Sequence, residues 1–302
     1  MPRIRAVLVA LVVMAGCAGP TANPSTTPSS APSVAASASP SASSSPELSC
    51  AERVLGELTP EQRIGQLFLL GLTGNHLGAE ELSAIRNQHI GSVWFTQTTS
   101  IGVDGLRAIA DAVQAEASTA TGGVGFFVAA NQEGGLIQAL NGSGFSTIPS
   151  AVDQGAMAPD VLADQAEGWG EELQAAGVNL DFAPVADVVP PGGDATNAPI
   201  GAHLREYGHD PVTAGTGAAA FISGMAAAGV ATTAKHFPGL GRVVGNTDFT
   251  ANVVDSATTL TDPYLDAFRA TIDAGVPFVM IALATYTQID PAKLAAFSPV
   301  VI

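Results

Sequence analysis

Basic residues are scarce: 11 Lys and Arg stand against 27 Asp and Glu, a formal net charge of −16 over 302 residues. A surface that acidic repels phosphate backbones, so nucleic acid is excluded as a partner. It equally disfavours attachment to anionic membranes through surface charge. Cysteine is nearly absent, with only Cys17 and Cys50, too few for a disulfide scaffold or a structural zinc site. His76, His89, His203 and His209 are scattered without ligand spacing, which argues against a metal centre. No Gly-x-Ser-x-Gly elbow is present for a serine hydrolase. Gly239-Leu240-Gly241 followed by Gly245 misses the dinucleotide spacing by one and follows Pro238, so no cofactor is expected. What the chain has in quantity is apolar side chains. At 47% hydrophobic and 13% charged, it can bury a large core, and wholesale disorder is excluded.

The first 50 residues are of a different kind. Arg3 and Arg5 precede an almost continuously apolar stretch, Ala6 to Ala15, shorter than the roughly 20 residues of a membrane-spanning helix. Met14-Ala15-Gly16-Cys17 resembles a bacterial lipoprotein signal, which implies removal of residues 1–16 and lipidation of Cys17. Loss of the two arginines takes the formal charge from −16 to −18. Lipid, rather than electrostatics, is then expected to hold the protein outside the cytoplasm at the cell membrane. The rest of 17–50 is mostly Ser, Pro, Ala and Thr and lacks the apolar groups to offset ordering entropy. It reads as a tether with a mean reach of roughly 30 Å.

From residue 51 onward, helix and strand signals alternate. Thr59-Pro60-Glu61-Gln62 is a capping box with proline at the first helical position. Helices are predicted at 79–88, 106–117, 160–176, 211–228 and 261–274, the last three closed by Gly177, Gly229 and Gly275. Apolar strands are predicted at 66–72, 91–95, 124–130, 178–183, 230–236 and 276–284. Continuous apolar strands separated by helices argue for a parallel sheet covered by helices. Polar residues gather just past the strand ends, at Asn131-Gln132-Glu133, Asp187, Lys235-His236 and Thr285-Tyr286. In a (β/α)8 TIM barrel that face carries the active site. The expected class is therefore α/β of TIM-barrel type over 51–302, with six of the eight units and the last two missing.

Lys235-His236-Phe237-Pro238-Gly239 resembles the signature of family 3 glycoside hydrolases, in particular bacterial β-N-acetylhexosaminidases. Supporting segments follow in the family's order. Ile64-Gly65-Gln66-Leu67-Phe68 is similar to its first strand, and Asn131-Gln132-Glu133-Gly134-Gly135 to its Asp-Gln-Glu-Gly-Gly turn. Asp181-Phe182-Ala183-Pro184-Val185-Ala186-Asp187 looks like its fourth strand and loop. Arg205-Glu206-Tyr207-Gly208-His209-Asp210-Pro211 is similar to its Arg-Ser-Phe-Gly-x-Asp-Pro run. The segment 278–284 and the pair Phe297-Ser298 complete the match.

The resemblance implies a monomeric, cofactor-free enzyme that cleaves terminal N-acetylglucosamine from wall fragments or related glycans, with retention of configuration. Lys235 and His236 are expected to bind ring hydroxyls, and Arg205 the acetamido group or its neighbour. Asn131 and Asp187 are expected to face the same mouth, and Glu133 to pin a turn. Donors on sugar hydroxyls strengthen at an oxocarbenium-like transition state.

Two departures matter. Where the hexosaminidases continue Gly-His-Gly and then Asp-Ser-His, this chain reads Gly239-Leu240-Gly241 and Asn246-Thr247-Asp248. The family's Asp–His acid/base pair is thereby replaced, and Asp248, raised in pKa by burial or a neighbouring carboxylate, becomes the candidate acid/base. The family's nucleophile lies beyond the Phe-Ser pair, past Ile302. Two other readings follow from these departures: a non-catalytic sugar-binding lipoprotein, and a β-glucosidase of the same family.

Overall fold

A computed structural model describes residues 48–302. Cys17, the signal segment and nearly all of the tether lie outside the described residues. Among those described, no helix is long and apolar enough to cross a membrane.

Helices α1 (Cys50–Glu57) and α2 (Pro60–Gly65) lead to strand β1 (Leu69–Leu72), and α3 (Ala79–Gln88) to β2 (Ser92–Phe95). Then α4 (Gly102–Gln114) and α5 (Ala117–Ala120) precede β3 (Phe127–Ala130). A short antiparallel pair, β4 (Gln132–Gly134) and β5 (Ile137–Gln138), follows it. Next come α6 (Ala151–Gly155), α7 (Pro159–Ala175), β6 (Leu180–Asp181), α8 (Pro211–Ala227) and β7 (Ala231–Phe237). Last are β8 (Val254–Asp255), α9 (Leu265–Asp273), β9 (Phe278–Ile281) and β10 (Thr285–Tyr286).

The main sheet has six parallel strands in the order β1-β2-β3-β6-β7-β9. Every step joins a strand to the next βα unit, the connectivity of a TIM barrel. The sheet is also curled. Phe127 on β3 and Phe278 on β9 meet edge to face at 5.4 Å between ring centroids, although β6 and β7 lie between them. Flat strands spaced about 4.8 Å apart would hold those positions roughly 14 Å from each other. Trp94 and Phe182 close the same concave side at 6.0 Å. Ala129, Leu180, Ala231 and Met280 fill the space around them. The edges are β1 and β9, and Phe278 and Val279 on β9 remain partly exposed.

Local signals place most elements where the sequence predicts them. Thr59 and Gln62 form the capping box of α2, with Pro60 at its first position. Gly177, Gly229 and Gly275 all take positive φ, near +80°, and end their helices. Some bounds differ. Ser49 and Glu52 make a second capping box, which starts α1 at Cys50, and the helix expected at 106–117 runs over Gly102–Gln114. Most strands are shorter than predicted: the apolar run at 66–68 is a turn before β1, and 182–183 opens an irregular buried segment after β6. Hydrophobicity marks burial but does not distinguish a strand from the buried chain beside it.

The outer layer is tight where α7, α8 and α9 meet. α8 is rich in Ala and Gly and buried on several faces. Its glycines admit neighbouring backbones: a Cβ on Gly215 would lie 2.8 Å from the Ala270 Cβ, and one on Gly224 only 2.2 Å from the Ala163 carbonyl oxygen. Gly224→Ala gains about 1 kcal/mol of helix propensity but forces α7 and α8 apart. We expect a net destabilisation of about 1–3 kcal/mol, read from urea unfolding. Stability equal to the parent's would contradict this packing.

Candidate active site

The polar residues singled out in the sequence converge where the strands end. β3 delivers Asn131, and the turn into β4 delivers Glu133. The buried run after β6 carries Asp187, and β7 ends in Lys235 and His236. Arg205 comes from the long connection between β6 and α8.

Glu133 is the centre of the cluster. It is buried, and both its oxygens accept from the Arg205 guanidinium, at 2.7 Å from Nε and 2.6 Å from Nη2. Lys235 Nζ sits 2.5 Å from its Oε1 and donates to Asn131 Oδ1 at 3.0 Å. Burial alone would raise the Glu133 pKa, but the Lys235 and Arg205 cations overcome that and hold it at about 2. Burial lowers the Lys235 pKa against the upward pull of Glu133. The turn-pinning role expected for Glu133 is therefore too small. This carboxylate orients two buried cations, Lys235 and Arg205. Arg205 Nη1 also donates to the Pro199 carbonyl, which ties the loop to the same anchor.

Asp187 and His236 form a second unit. His236 Nδ1 lies 2.7 Å from Asp187 Oδ2, and the other oxygen accepts from the backbone N–H of His236 and Leu240. Asp187, wholly buried, thus orders the turn after β7 and holds the imidazole. Burial lowers the His236 pKa, opposed by Asp187. In the neutral ring, a proton on Nδ1 directed at Asp187 leaves Nε2 as the acceptor for a ligand hydroxyl.

Asp181 was not singled out from the sequence, where it reads as part of an apolar strand. It is wholly buried, with Oδ1 accepting from the Gln132 N–H and Oδ2 without a hydrogen-bond partner. Burial lifts its pKa to about 7, the Gln132 bond and Lys235 acting against the lift and Glu133 adding to it.

Asp248, the candidate acid/base, lies on the loop after β7, where its backbone N–H donates to Asn246 Oδ1 at 2.9 Å. It is close enough for its charge to act on Arg205. The burial expected to tune it is not there. The side chain is exposed, on a loop that also leaves Val244 and Phe249 in solvent. The arrangement thus supplies fixed donors and acceptors for a hydroxylated ligand, and one accessible carboxylate beside them.

Folded Asp181 keeps its proton to about pH 7, whereas an unfolded aspartate releases it near pH 4. Between those values the unfolded chain binds fewer protons, so this residue makes stability fall as pH rises from about 4 to 7. Asp181→Asn keeps an acceptor for Gln132 and carries no charge. The loss of Tm between about pH 5 and pH 8 should shrink in that variant, as thermal unfolding across pH will show. An unchanged profile would mean that Asp181 ionises normally.

Comparison with known proteins is consistent with this geometry. The glycosyl hydrolase family 3 N terminal domain matches residues 59–302. The beta-hexosaminidase of Stenotrophomonas maltophilia is 31% identical over 242 residues, covering 77% of this chain and 68% of that protein. The beta-hexosaminidase LpqI of Mycobacterium tuberculosis is 32% identical over 203 residues, covering 66% of this chain and 48% of the relative. Among solved structures, a β-N-acetylhexosaminidase from Beutenbergia cavernae is 50% identical with a TM-score of 0.78, covering 80% of this chain and 72% of that one. NagZ from Neisseria gonorrhoeae, in complex with N-trifluoroacetyl-D-glucosamine, is 26% identical with a TM-score of 0.67, covering 78% and 68%. With strand order, strand-end cluster and extended similarity in agreement, the chain belongs to glycosyl hydrolase family 3 and carries its TIM-barrel-type N-terminal domain.

Proposed function

We propose that the protein is a retaining β-N-acetylhexosaminidase acting on terminal, non-reducing β-linked N-acetylhexosamine of cell-wall fragments or related glycans. The observation that carries this reading is a pair of strand-end units, Glu133 orienting Lys235 and Arg205 and Asp187 orienting His236, side by side at one mouth. Relatives of up to 50% identity named for this activity support it.

In this reading Lys235 and Arg205 keep N–H groups beyond those given to Glu133, Asn131 and Pro199 for the sugar's oxygens. The His236 imidazole, held by Asp187, accepts from a ring hydroxyl. These groups are fixed before the substrate arrives, so they strengthen against the charge developing at the ring without reorganising. Asp248 donates its proton to the leaving oxygen and later takes one from water. The nucleophile is assigned to no residue of the 302. Asp248 is exposed, so in this reading the bound glycan is what closes over it.

Native protein should hydrolyse an aryl N-acetyl-β-glucosaminide and leave the matching β-glucoside untouched. Asp248→Asn should lower kcat by about 10²-fold or more while KM changes little. Turnover of the glucoside alone would point to the glucosidase reading. Binding of N-acetylglucosamine without turnover would make the protein a sugar-binding one. Unaltered kcat in the variant would remove Asp248 from the mechanism.

We also propose that Cys17 anchors the protein outside the cytoplasm through lipid, on the strength of the Arg3/Arg5, apolar and small-residue sequence ahead of it. Cys17→Ala should move the protein from the membrane fraction to the soluble one. Retention in the membrane fraction would argue against that anchor.

A further inference from the structure

The connection between β6 and α8 holds a second cluster, which the sequence does not reveal. Asp194, Glu206 and His209 lie 12 and 3 residues apart along the chain, yet one ligand atom from each falls within 4.8 Å of the others. His209 Nδ1 is 3.6 Å from Asp194 Oδ1. Ligands around a small divalent ion with bonds of about 2.0–2.2 Å stand roughly 3–4.4 Å apart, so contraction by a few tenths of an ångström closes the set.

The decisive feature is what these groups lack. Glu206 is 1% exposed, and neither of its carboxylate oxygens has a hydrogen-bond partner. Asp194 Oδ1 is likewise buried and unpartnered. Two carboxylates facing each other without donors are costly to bury, and local cations are already committed. The neighbouring Arg205 guanidinium is spent on Glu133 and Pro199.

His209 does not fill that need by itself. Its Nδ1 lies 3.2 Å from the Val189 carbonyl, so a proton there is directed at the backbone. The same nitrogen faces Asp194 Oδ1 at 3.6 Å, so a bound ion would take the place of that proton between the imidazole and the carboxylates. The half-exposed sides of Asp194 and His209 leave room for water to complete the coordination.

We propose that Asp194, Glu206 and His209 bind a first-row divalent transition-metal ion, of the Zn²⁺ or Mn²⁺ class. Two carboxylates with one imidazole suit these ions, whereas Ca²⁺ and Mg²⁺ favour all-oxygen sets. The ion is structural. It clamps the loop at 194 to the segment 206–209 and so braces Arg205, the residue beside Glu206, against Glu133. This inference stands on the cluster alone and does not depend on the glycosidase reading.

The test uses the full-length protein stripped with chelator and titrated by calorimetry, with thermal unfolding in parallel. Zn²⁺ or Mn²⁺ should bind with one-to-one stoichiometry and raise Tm by about 5 °C or more at roughly 100 times Kd. Ca²⁺ and Mg²⁺ should do neither. Co²⁺ should develop visible d–d absorption. His209→Ala, at a half-exposed position, should abolish all three responses, as should Glu206→Gln. If Glu206→Gln does not fold, His209→Ala decides. Absence of stoichiometric binding, or binding unchanged in His209→Ala, would overturn the site. The Asp194–Glu206 pair would then be one that shares a proton.

Discussion

A single buried carboxylate holds the strand-end face together. Glu133 pairs with Lys235 on β7 and with Arg205 on the loop before α8, so three distant segments meet on one group. Removing ions from water is expensive, and their mutual attraction offsets that only when geometry and hydrogen bonding are good. Here the guanidinium is bidentate and the ammonium has a second acceptor in Asn131. The arrangement specifies where the cations point more than it stabilises the fold. Removing Glu133 would leave two buried cations without the anion they share.

That cluster is possible because the sheet curls. Curling brings the ends of β3, β6 and β7 around one mouth, and the aromatic pairs Phe127–Phe278 and Trp94–Phe182 fill the concave side. On the outside, small residues on α8 let three helices pack closely, which holds the strands in that curvature. The polar groups are thus displayed by a rigid frame, and their separations are set by strand spacing rather than by loop mobility.

The long connection from β6 to α8 is the opposite case. It has little regular structure and is ordered by side chains acting on backbone. Asn197 donates to the carbonyls of Leu240 and Val243 and accepts from the N–H groups of Ile200 and Gly201. The same segment carries Arg205 to Glu133 and contains the Asp194–Glu206–His209 cluster. Ordering this segment and placing Arg205 against Glu133 are one physical problem. A metal ion at the cluster solves part of it.

Periodicity, capping residues and terminal glycines were enough to determine the α/β alternation, the six parallel strands and most helix bounds, because these follow from neighbours in the chain. The run Lys235-His236-Phe237-Pro238-Gly239 pointed to the family, and its strand-end position to the mouth. Only the tertiary structure decided what each charge does. Glu133 is separated from Arg205 by 72 residues, and nothing local says that it accepts two cations rather than pinning a turn. Asp181 reads as a strand residue until burial is known, and Asp248 reads as a buried acid until exposure is known. His209 looks solitary in the sequence, yet the fold sets it beside Asp194 and Glu206. Desolvation and charge pairing depend on what surrounds a group in space, and that is fixed when distant segments pack.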